Sequence, residues 1–558
     1  ADTSKVTKRG GTTYDIGTAK TMYIKETGDY DLEVSGSDTF GLVTVNVGSI
    51  DLTGATTKPI DFDGYNKLTF VNAGANAVSN VSVDGGAKQE LGSVTTYYIK
   101  DAGTYTLEMS GSNVFALSSN VVGGIATELV WNANESQILY ASDAQASDYF
   151  GHSVSLSGDY AIAGAYNENS GMGAAYIFKR DGTTWSQQQK ITASDGSGAI
   201  PNVSVGDRFG QSVSLSGDYA IAGAPTDAIN HNYNGSAYIF KRNGTTWSEQ
   251  QKISASDKEQ NDRFGYRVSI SGDYAVAAAI FESNKGAAYI FKRTETTWSQ
   301  QQKITASDAA DGDNFGCSVS IDGDYIIVGA DNEDTGSSNA GEAYIYVRSG
   351  TTWSEQEKIQ ASDKASEDNF GQSVSLSGDY AIVSARNKDT GGTDAGVVYI
   401  FKRTGTSWAE QAILTASDAQ ASDCFGISVY IKDEYAIVGA HGEDTTASDA
   451  GAAYIFERSG TTWTEVKKIT ASDGQASDQF GYSVSISGTT AVVGVQNEDT
   501  GGSEAGAVYI IEKGPKPIPS LTFDGNNKLT VTNFDSSSIG FTDAAITGTA
   551  YYAGSMTW

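Results

Sequence analysis

Near-copies of one Phe-Gly-headed unit, a strand–turn–strand pattern inside each copy, and the absence of helical spacing within the unit predict an all-β fold. The expected architecture is a seven-bladed β-propeller flanked by small β-sandwich-like modules. The heads are Phe150, Phe209, Phe264, Phe315, Phe370, Phe425 and Phe480, one every 51 to 59 residues. That period suits one four-stranded sheet and is too long for a helix-pair repeat.

Each unit supplies four strands in order. After Phe209-Gly210 come Ser212-Val213-Ser214-Leu215-Ser216, the polar turn Gly217-Asp218, and the apolar run Tyr219 to Ala224, which together form a hairpin. A variable polar loop follows. Ala237 to Arg242 is the third strand, Asn243-Gly244 a turn, and Thr246 to Ile253 a fourth strand whose Trp247 and Ile253 are placed to pack on a neighbouring sheet.

These units resemble the FG-GAP repeat family, found in the heads of integrin α-subunits and in many surface proteins. Phe425-Gly426 with Val438-Gly439-Ala440 is close to the name-giving motif, and the resemblance covers roughly residues 128 to 513. It implies a propeller that binds partners outside the cell without catalysis. The integrin-type blade carries an Asp-rich calcium loop between its first two strands, whereas here that place holds only Ser157-Gly158-Asp159-Tyr160 and its equivalents. Calcium ligation at those turns is therefore not implied.

The seventh unit ends at Ala507 to Lys513 without a Thr-Thr-Trp strand, while an orphan strand with Trp131 and Ile138 precedes the first Phe-Gly. The propeller is thus expected to span 128–513 and to be closed by the 128–140 strand, leaving no open sheet edge at the seam. Residues 1–127 read as N-terminal β modules with an internal repeat, 21–48 against 96–123. Residues 514–520 are a Pro-rich linker, and 521–558 a C-terminal β module resembling 60–86. That last copy would pack on the N-terminal modules of its own chain or of a neighbouring subunit; independent spacer modules are the alternative.

The chain has 558 residues, 39% of them hydrophobic, with 64 glycines and a formal charge of −31. Such a field disfavours nucleic acid and anionic membranes as partners, and no apolar run spans a bilayer. Cys317 and Cys424 fall on separate blades and leave the compartment open, while the acidic, Ser/Thr/Gly-rich composition leans extracellular.

Paired aspartates in every interblade loop, Asp143 with Asp148 in the first and Asp473 with Asp478 in the last, read as turn caps, because a unique active site does not need seven copies. Asp334, Asp389, Asp444 and Asp499 lie in acidic loops of the later blades; they are candidate calcium ligands, with a solvated turn as the alternative. No other cofactor is implied. The ligand-binding candidates sit where the repeats break: Arg208 and Arg263 before Phe-Gly, Arg267 in place of a repeated Ser, Tyr266 beside it, His231 and Tyr233 in an irregular loop, and Phe281 on the next blade. Arginine forks recognise carboxylates and sulfates, and aromatic rings stack on sugars or on partner side chains. His152 is placed to line the mouth of the central channel.

The expected function is non-catalytic: a surface-displayed binding or structural protein whose propeller presents a glycan- or protein-binding face while the flanking modules attach it to a larger assembly. A cell-surface adhesin and a virion capsid or fibre component both suit. The alternatives are a glycan-processing, sialidase-like enzyme, suggested by Asp181-Gly182-Thr183-Thr184-Trp185, and an intracellular scaffold. No nucleophile elbow, zinc-protease helix or phosphate loop supports catalysis.

Overall fold

The computed structural model describes residues 130–514 except 133, 199–205, 228–232 and 335–336; in the flanks it describes only the backbone of short strands. The chain forms two compact units, one of residues 131–513 and one that combines residues 1–130 with 514–558.

The first unit is a ring of seven antiparallel sheets. In blade 1 the strands run Phe150–Ser157, Tyr160–Ala165, Ala174–Asp181 and Thr184–Ile191, in that order from the inside outwards, and blades 2 to 6 repeat the order. In blade 7 the inner three strands are Ser483–Ser487, Thr490–Val495 and Ala507–Pro515, and the outer edge is filled by Leu129–Trp131 and Gln137–Leu139 from before blade 1. Ile138 pairs with Tyr509, and Trp131 packs edge-on against Tyr435 of blade 6 with ring centroids 5.7 Å apart. Other seams repeat that contact, as in Trp247 on Tyr160 at 5.9 Å and Trp353 on Tyr274 at 5.7 Å.

Sequence periodicity accounts for how neighbouring blades adhere. In Ser-Val-Ser-Leu-Ser the apolar residues enter the core between sheets and the serines point to the next inner strand. The Ser155 hydroxyl accepts the Leu215 N–H at 3.0 Å, Ser214 that of Ile270, Ser320 that of Leu376, and Ser485 of blade 7 that of Leu156 in blade 1. The outer seams use glutamine as a substitute peptide group. The Gln302 amide donates to the Trp353 carbonyl at 2.6 Å and accepts the Trp353 N–H at 2.8 Å, and Gln137 treats Trp185 the same way across the closing seam.

Phe-Gly has a packing reason. Phe150 is fully buried against Tyr176 and Phe178, and a Cβ on Gly151, which has φ +87°, would lie 2.4 Å from the Ala507 carbonyl oxygen. Only glycine lets the two backbones approach so closely.

The second unit contains a sheet in which Lys528–Thr532 of the C-terminal segment pairs with Tyr105–Met109 of the N-terminal segment, Leu529 opposite Leu107. The C-terminal copy thus pairs with an N-terminal module of its own chain.

Candidate ligand-binding face

Antiparallel order puts the two hairpin turns of blades 1 to 6, and the single one of blade 7, at one end of the ring. The start of the first strand, the loop between second and third strands and the interblade loop all lie at the other.

At the hairpin end, the position of the family's calcium loop is occupied by ion pairs. Asp159 Oδ1 is 2.7 Å from Arg180 of the third strand, and Asp218, Asp273, Asp324 and Asp379 pair in the same way with Arg242, Arg293, Arg348 and Arg403. A guanidinium fixed in the chain stands against the carboxylate that would otherwise ligate an ion. One carboxylate with a bound cation does not fit a calcium cage, which needs six to eight oxygens.

At the opposite end the repeated acids are structural. The second Asp of each pair caps its own loop: Asp478 accepts the Gln475 N–H at 2.6 Å and Asp423 that of Gln420 at 2.7 Å, and burial pushes both carboxyls up to about 6. The first Asp joins a lysine-centred network. Asp143 accepts the Tyr176 hydroxyl at 2.8 Å and lies 2.7 Å from Lys190, which also reaches Glu168 at 2.8 Å. In blade 4 an extra buried acid, Glu342, joins Asp308 and Glu333, and Lys358 Nζ lies 2.7 Å from both Asp308 and Glu342. The cation that this cluster needs is already supplied by the chain. Blade 5 reverses the pattern: Ile413 replaces the strand lysine, and Lys388 replaces the loop acid and reaches Asp368 at 2.9 Å.

The four calcium candidates close their own loops. Asp334, Asp389, Asp444 and Asp499 accept the backbone N–H five residues onward, from Asn339, Asp394, Asp449 and Glu504, at 2.6, 3.0, 2.7 and 2.8 Å. Each sits on a separate blade, and none belongs to the Asp308 cluster.

Three registers surround the axial mouth at this end: the residue before Phe-Gly, the residue after it, and the residue following the second strand. The repeats diverge most in these registers. The first is in the left-handed region in all seven blades, including Tyr149, Arg208 and Arg263 at φ 56°, 56° and 55°. The second contributes His152, Tyr266 and Tyr482, and the third Tyr166, Asp331, Arg386, His441 and Gln496.

Side chains from distant blades meet there. His152 lies 5.1 Å from Tyr482 and 4.5 Å from Tyr166 between ring centroids, and its Nδ1 is 2.8 Å from Gln496 Oε1. His441 lies on the other side of Tyr482 at 6.0 Å. Arg208 stacks over Tyr166 at 5.6 Å and Arg267 over Tyr266 at 4.7 Å. Burial, aided by the positive charge of Arg267 and Arg208, brings His152 down to about 4, so the imidazole is neutral at pH 7. Burial, with Arg386 nearby, does the same to His441. The Arg267 side chain of blade 3 acts on His152 of blade 1, on Tyr482 of blade 7 and on Cys317 of blade 4; Arg386 of blade 5 acts on Asp331, His441 and Tyr482. Only side chains reaching towards the axis touch so many blades electrostatically.

The predicted patch therefore divides. Arg208, Tyr266 and Arg267 belong to the axial mouth. Arg263 stacks over Phe281 at 4.8 Å, and its N–H donates to the Tyr233 carbonyl at 3.2 Å, so these three form a separate group at the seam of blades 2 and 3, with Phe281 40% exposed. His231 lies outside the described residues. Arg386 was missed by the sequence reading. Arg386 occupies the position of Pro225, Ile280 and His441 in other repeats, immediately after the second strand, a register with no consensus against which an arginine would stand out.

The fold and these registers define a seven-bladed β-propeller protein, built to bind or to serve as a structural part and carrying its sequence variation around one axial mouth. The FG-GAP repeat model matches residues 133–178, 185–240, 247–291, 298–346, 353–401, 408–456 and 463–511, and the chain belongs to that family. Each match starts at or after an outer strand and ends in the third strand of the next blade, so the sequence unit is offset from the structural blade by one strand. No curated protein matches the sequence. Similar solved structures include one titled "Crystal Structure of Mitotic Checkpoint Complex", with TM-score 0.43, 11% identity and coverage of 72% of this chain and 98% of that one. Another is Sqt1 of Saccharomyces cerevisiae, with TM-score 0.38, 8% identity and coverage of 68% and 99%. Neither likeness bears on what the chain does. FG-GAP propellers are typically non-catalytic and extracellular, and among the described residues no helix is long and apolar enough to cross a membrane.

Proposed function

We propose that the chain is a non-catalytic, surface-displayed binding protein, an adhesin or a virion capsid or fibre component, whose propeller presents the loop-bearing end to a glycan or protein. The unit formed by the two flanks attaches it to a larger assembly. One observation carries the reading. The seven repeats share one seam-building frame and diverge around one mouth, which gathers unpaired arginines on a chain of net charge −31. Divergence gathered at the loop-bearing end of a rigid frame is the pattern of a binding surface.

Glycan hydrolysis is the alternative with an observation behind it, since the Tyr149 hydroxyl donates to Glu504 Oε2 at 2.9 Å. Burial and that carboxylate push the tyrosine hydroxyl up to about 12, opposite to what a phenolate nucleophile requires.

The test is saturable binding of the full chain to intact cell surfaces and to a printed glycan panel, with released sugar measured in parallel. Binding without release is expected, reduced by Arg208→Ala combined with Arg267→Ala at unchanged melting temperature. No saturable binding would overturn the display reading, and sugar release would overturn its non-catalytic part.

A further inference from the structure

Ten arginines lie among the described residues, and they fall into two classes. Six end the third strands and pair with a carboxylate across the hairpin turns: Arg180, Arg242, Arg293, Arg348, Arg403 and Arg458. The other four, Arg208, Arg263, Arg267 and Arg386, have no carboxylate within salt-bridge distance. Unpaired guanidiniums are unexpected on a chain with 68 acidic residues against 37 basic ones, where carboxylate partners abound. Three of the four converge on the axial mouth.

The same mouth holds polar atoms without partners. Gln211 Oε1, Gln372 Oε1 and His441 Nδ1 are buried without a partner among the described residues, as is Arg386 Nε, a property it shares with Arg242, Arg293, Arg348, Arg403 and Arg458 at the other end. Gln211 and Gln372 occupy the register of His152, and Arg386 that of His441, so the orphaned atoms lie in two of the three registers that surround the mouth. Leaving a buried polar atom unbonded costs about 1–3 kcal/mol, so several at one place indicate an arrangement completed by something from outside.

The orphaned atoms also constrain the chemistry of that occupant. The guanidiniums require an anion, and the glutamine oxygens require donors. A carboxylate side chain of a protein supplies the first only. A sugar ring bearing a carboxylate or sulfate supplies both, through its anion and its hydroxyls, and the faces of Tyr166, Tyr266 and Tyr482 suit its C–H surface. Both histidines are neutral at pH 7, so the positive charge comes from arginine alone. Among the acids felt at this mouth are Asp331, whose carboxyl pKa burial raises, and Asp449 and Glu504, whose charge is felt at His441 and Tyr166.

We infer that the axial mouth is a binding site for an acidic sugar, its anion held between Arg267 of blade 3 and Arg386 of blade 5 with Arg208 alongside, and its hydroxyls bonded to Gln211 and Gln372. This rests on the display reading above and names the ligand class and a residue outside the predicted patch.

The test uses the full chain and three probe sets: oligosaccharides carrying hexuronic acid, sulfated oligosaccharides without carboxyl groups, and their neutral counterparts, with a poly-glutamate peptide alongside. The expected result is binding to one or both acidic sets and to neither the neutral set nor the peptide; the set preferred tells carboxylate from sulfate. Arg267→Ala with Arg386→Ala should weaken that binding on the order of 100-fold, as loss of charge-assisted contacts does. Arg263→Ala with Phe281→Ala, away from the axis, should change it less than threefold. Melting temperatures identify any variant that has lost its fold, and Arg386→Lys, which retains charge but not the fork, should give an intermediate loss. Acidic-sugar binding that survives the Arg267/Arg386 double variant and falls in the Arg263/Phe281 variant would overturn the axial site while leaving the display reading intact. Equal affinity for poly-glutamate would overturn the sugar assignment. A wild-type chain that binds surfaces but no acidic sugar would overturn the inference as a whole.

Discussion

The glutamine bridge between outer strands can be tested at a single position. Gln302 joins blade 3 to blade 4 through two bonds to the Trp353 backbone, at 2.6 and 2.8 Å. Gln302→Ala removes both, each worth about 1 kcal/mol net, and leaves a Trp353 N–H beside a side chain only 2% exposed, so the total loss should be about 2–3 kcal/mol. The protein contains its own graded series at this position. Glu357 makes only the bond from the Trp408 N–H, and Ala412 makes none to Trp463, which is 8% exposed. Glu357→Gln, which gains one bond, should therefore add about 1 kcal/mol, and Ala412→Gln, which gains both, about 2 kcal/mol. Urea unfolding followed by tryptophan fluorescence measures all three. If Gln302→Ala lies within about 0.5 kcal/mol of wild type, or if Ala412→Gln destabilises, the bridges do not hold the seams together.

His152 titrates at about 4 when folded and near 6.5 when unfolded, among Gln496, Tyr166, Tyr482, Arg208 and Arg267. The folded state therefore binds fewer protons, and stability falls as pH drops from about 6.5 towards 4; by pH 5 His152→Gln should recover about 2 kcal/mol relative to its effect at pH 7.5. Asp423 and Asp478, raised to about 6, act in the opposite sense over the same window, so the comparison must be between variant and wild type at each pH. Lys388→Glu should cost about 3 kcal/mol by placing an acid against buried Asp368, and adding Ile413→Lys should restore most of it, a coupling that thermal melts of the single and double variants would reveal. Chelation of divalent cations should leave the melting temperature unchanged, because Arg242 and its equivalents already neutralise the turn carboxylates; a fall of several degrees would contradict that assignment.

Most of the frame was legible because repetition averages out local ambiguity. Seven aligned copies of Phe-Gly and Trp, with Ser-x-Ser in six of them, leave one period and one strand order, and a family model reads the same residues. Trp131 could be recognised as a displaced outer strand only because the other blades show what is missing from the seventh. The site was harder to see. Arg267 stood out against a repeated Ser, whereas Arg386 follows a second strand in a register already diverse in every repeat, so no consensus made it conspicuous. The division of Arg263 from Arg267, four residues apart, depends on which way each side chain turns at the start of an inner strand. One stays in its seam over Phe281 and the other reaches towards the axis. Spacing along the chain carries no trace of that choice.

The pairing of both flanks within one sheet sets how the molecule answers a pull. Tension between the chain termini crosses from Tyr105–Glu108 to Lys528–Val531 and bypasses everything between, so the propeller hangs outside the line of force while that clasp holds. Val78–Val83 pairs with the other edge of Tyr105–Met109, with Val78 opposite Met109, while Val531 lies opposite Tyr105; a pull from the N-terminal side and one from the C-terminal side thus reach the sheet at opposite ends and load its strands in shear. Once it has opened, the strain passes to blade 7, where the Asn132 N–H meets the Glu512 carbonyl at 3.2 Å and the entering and leaving strands are gripped at one shared end. A tethered copy would yield in two steps, the sheared clasp first and the ring second.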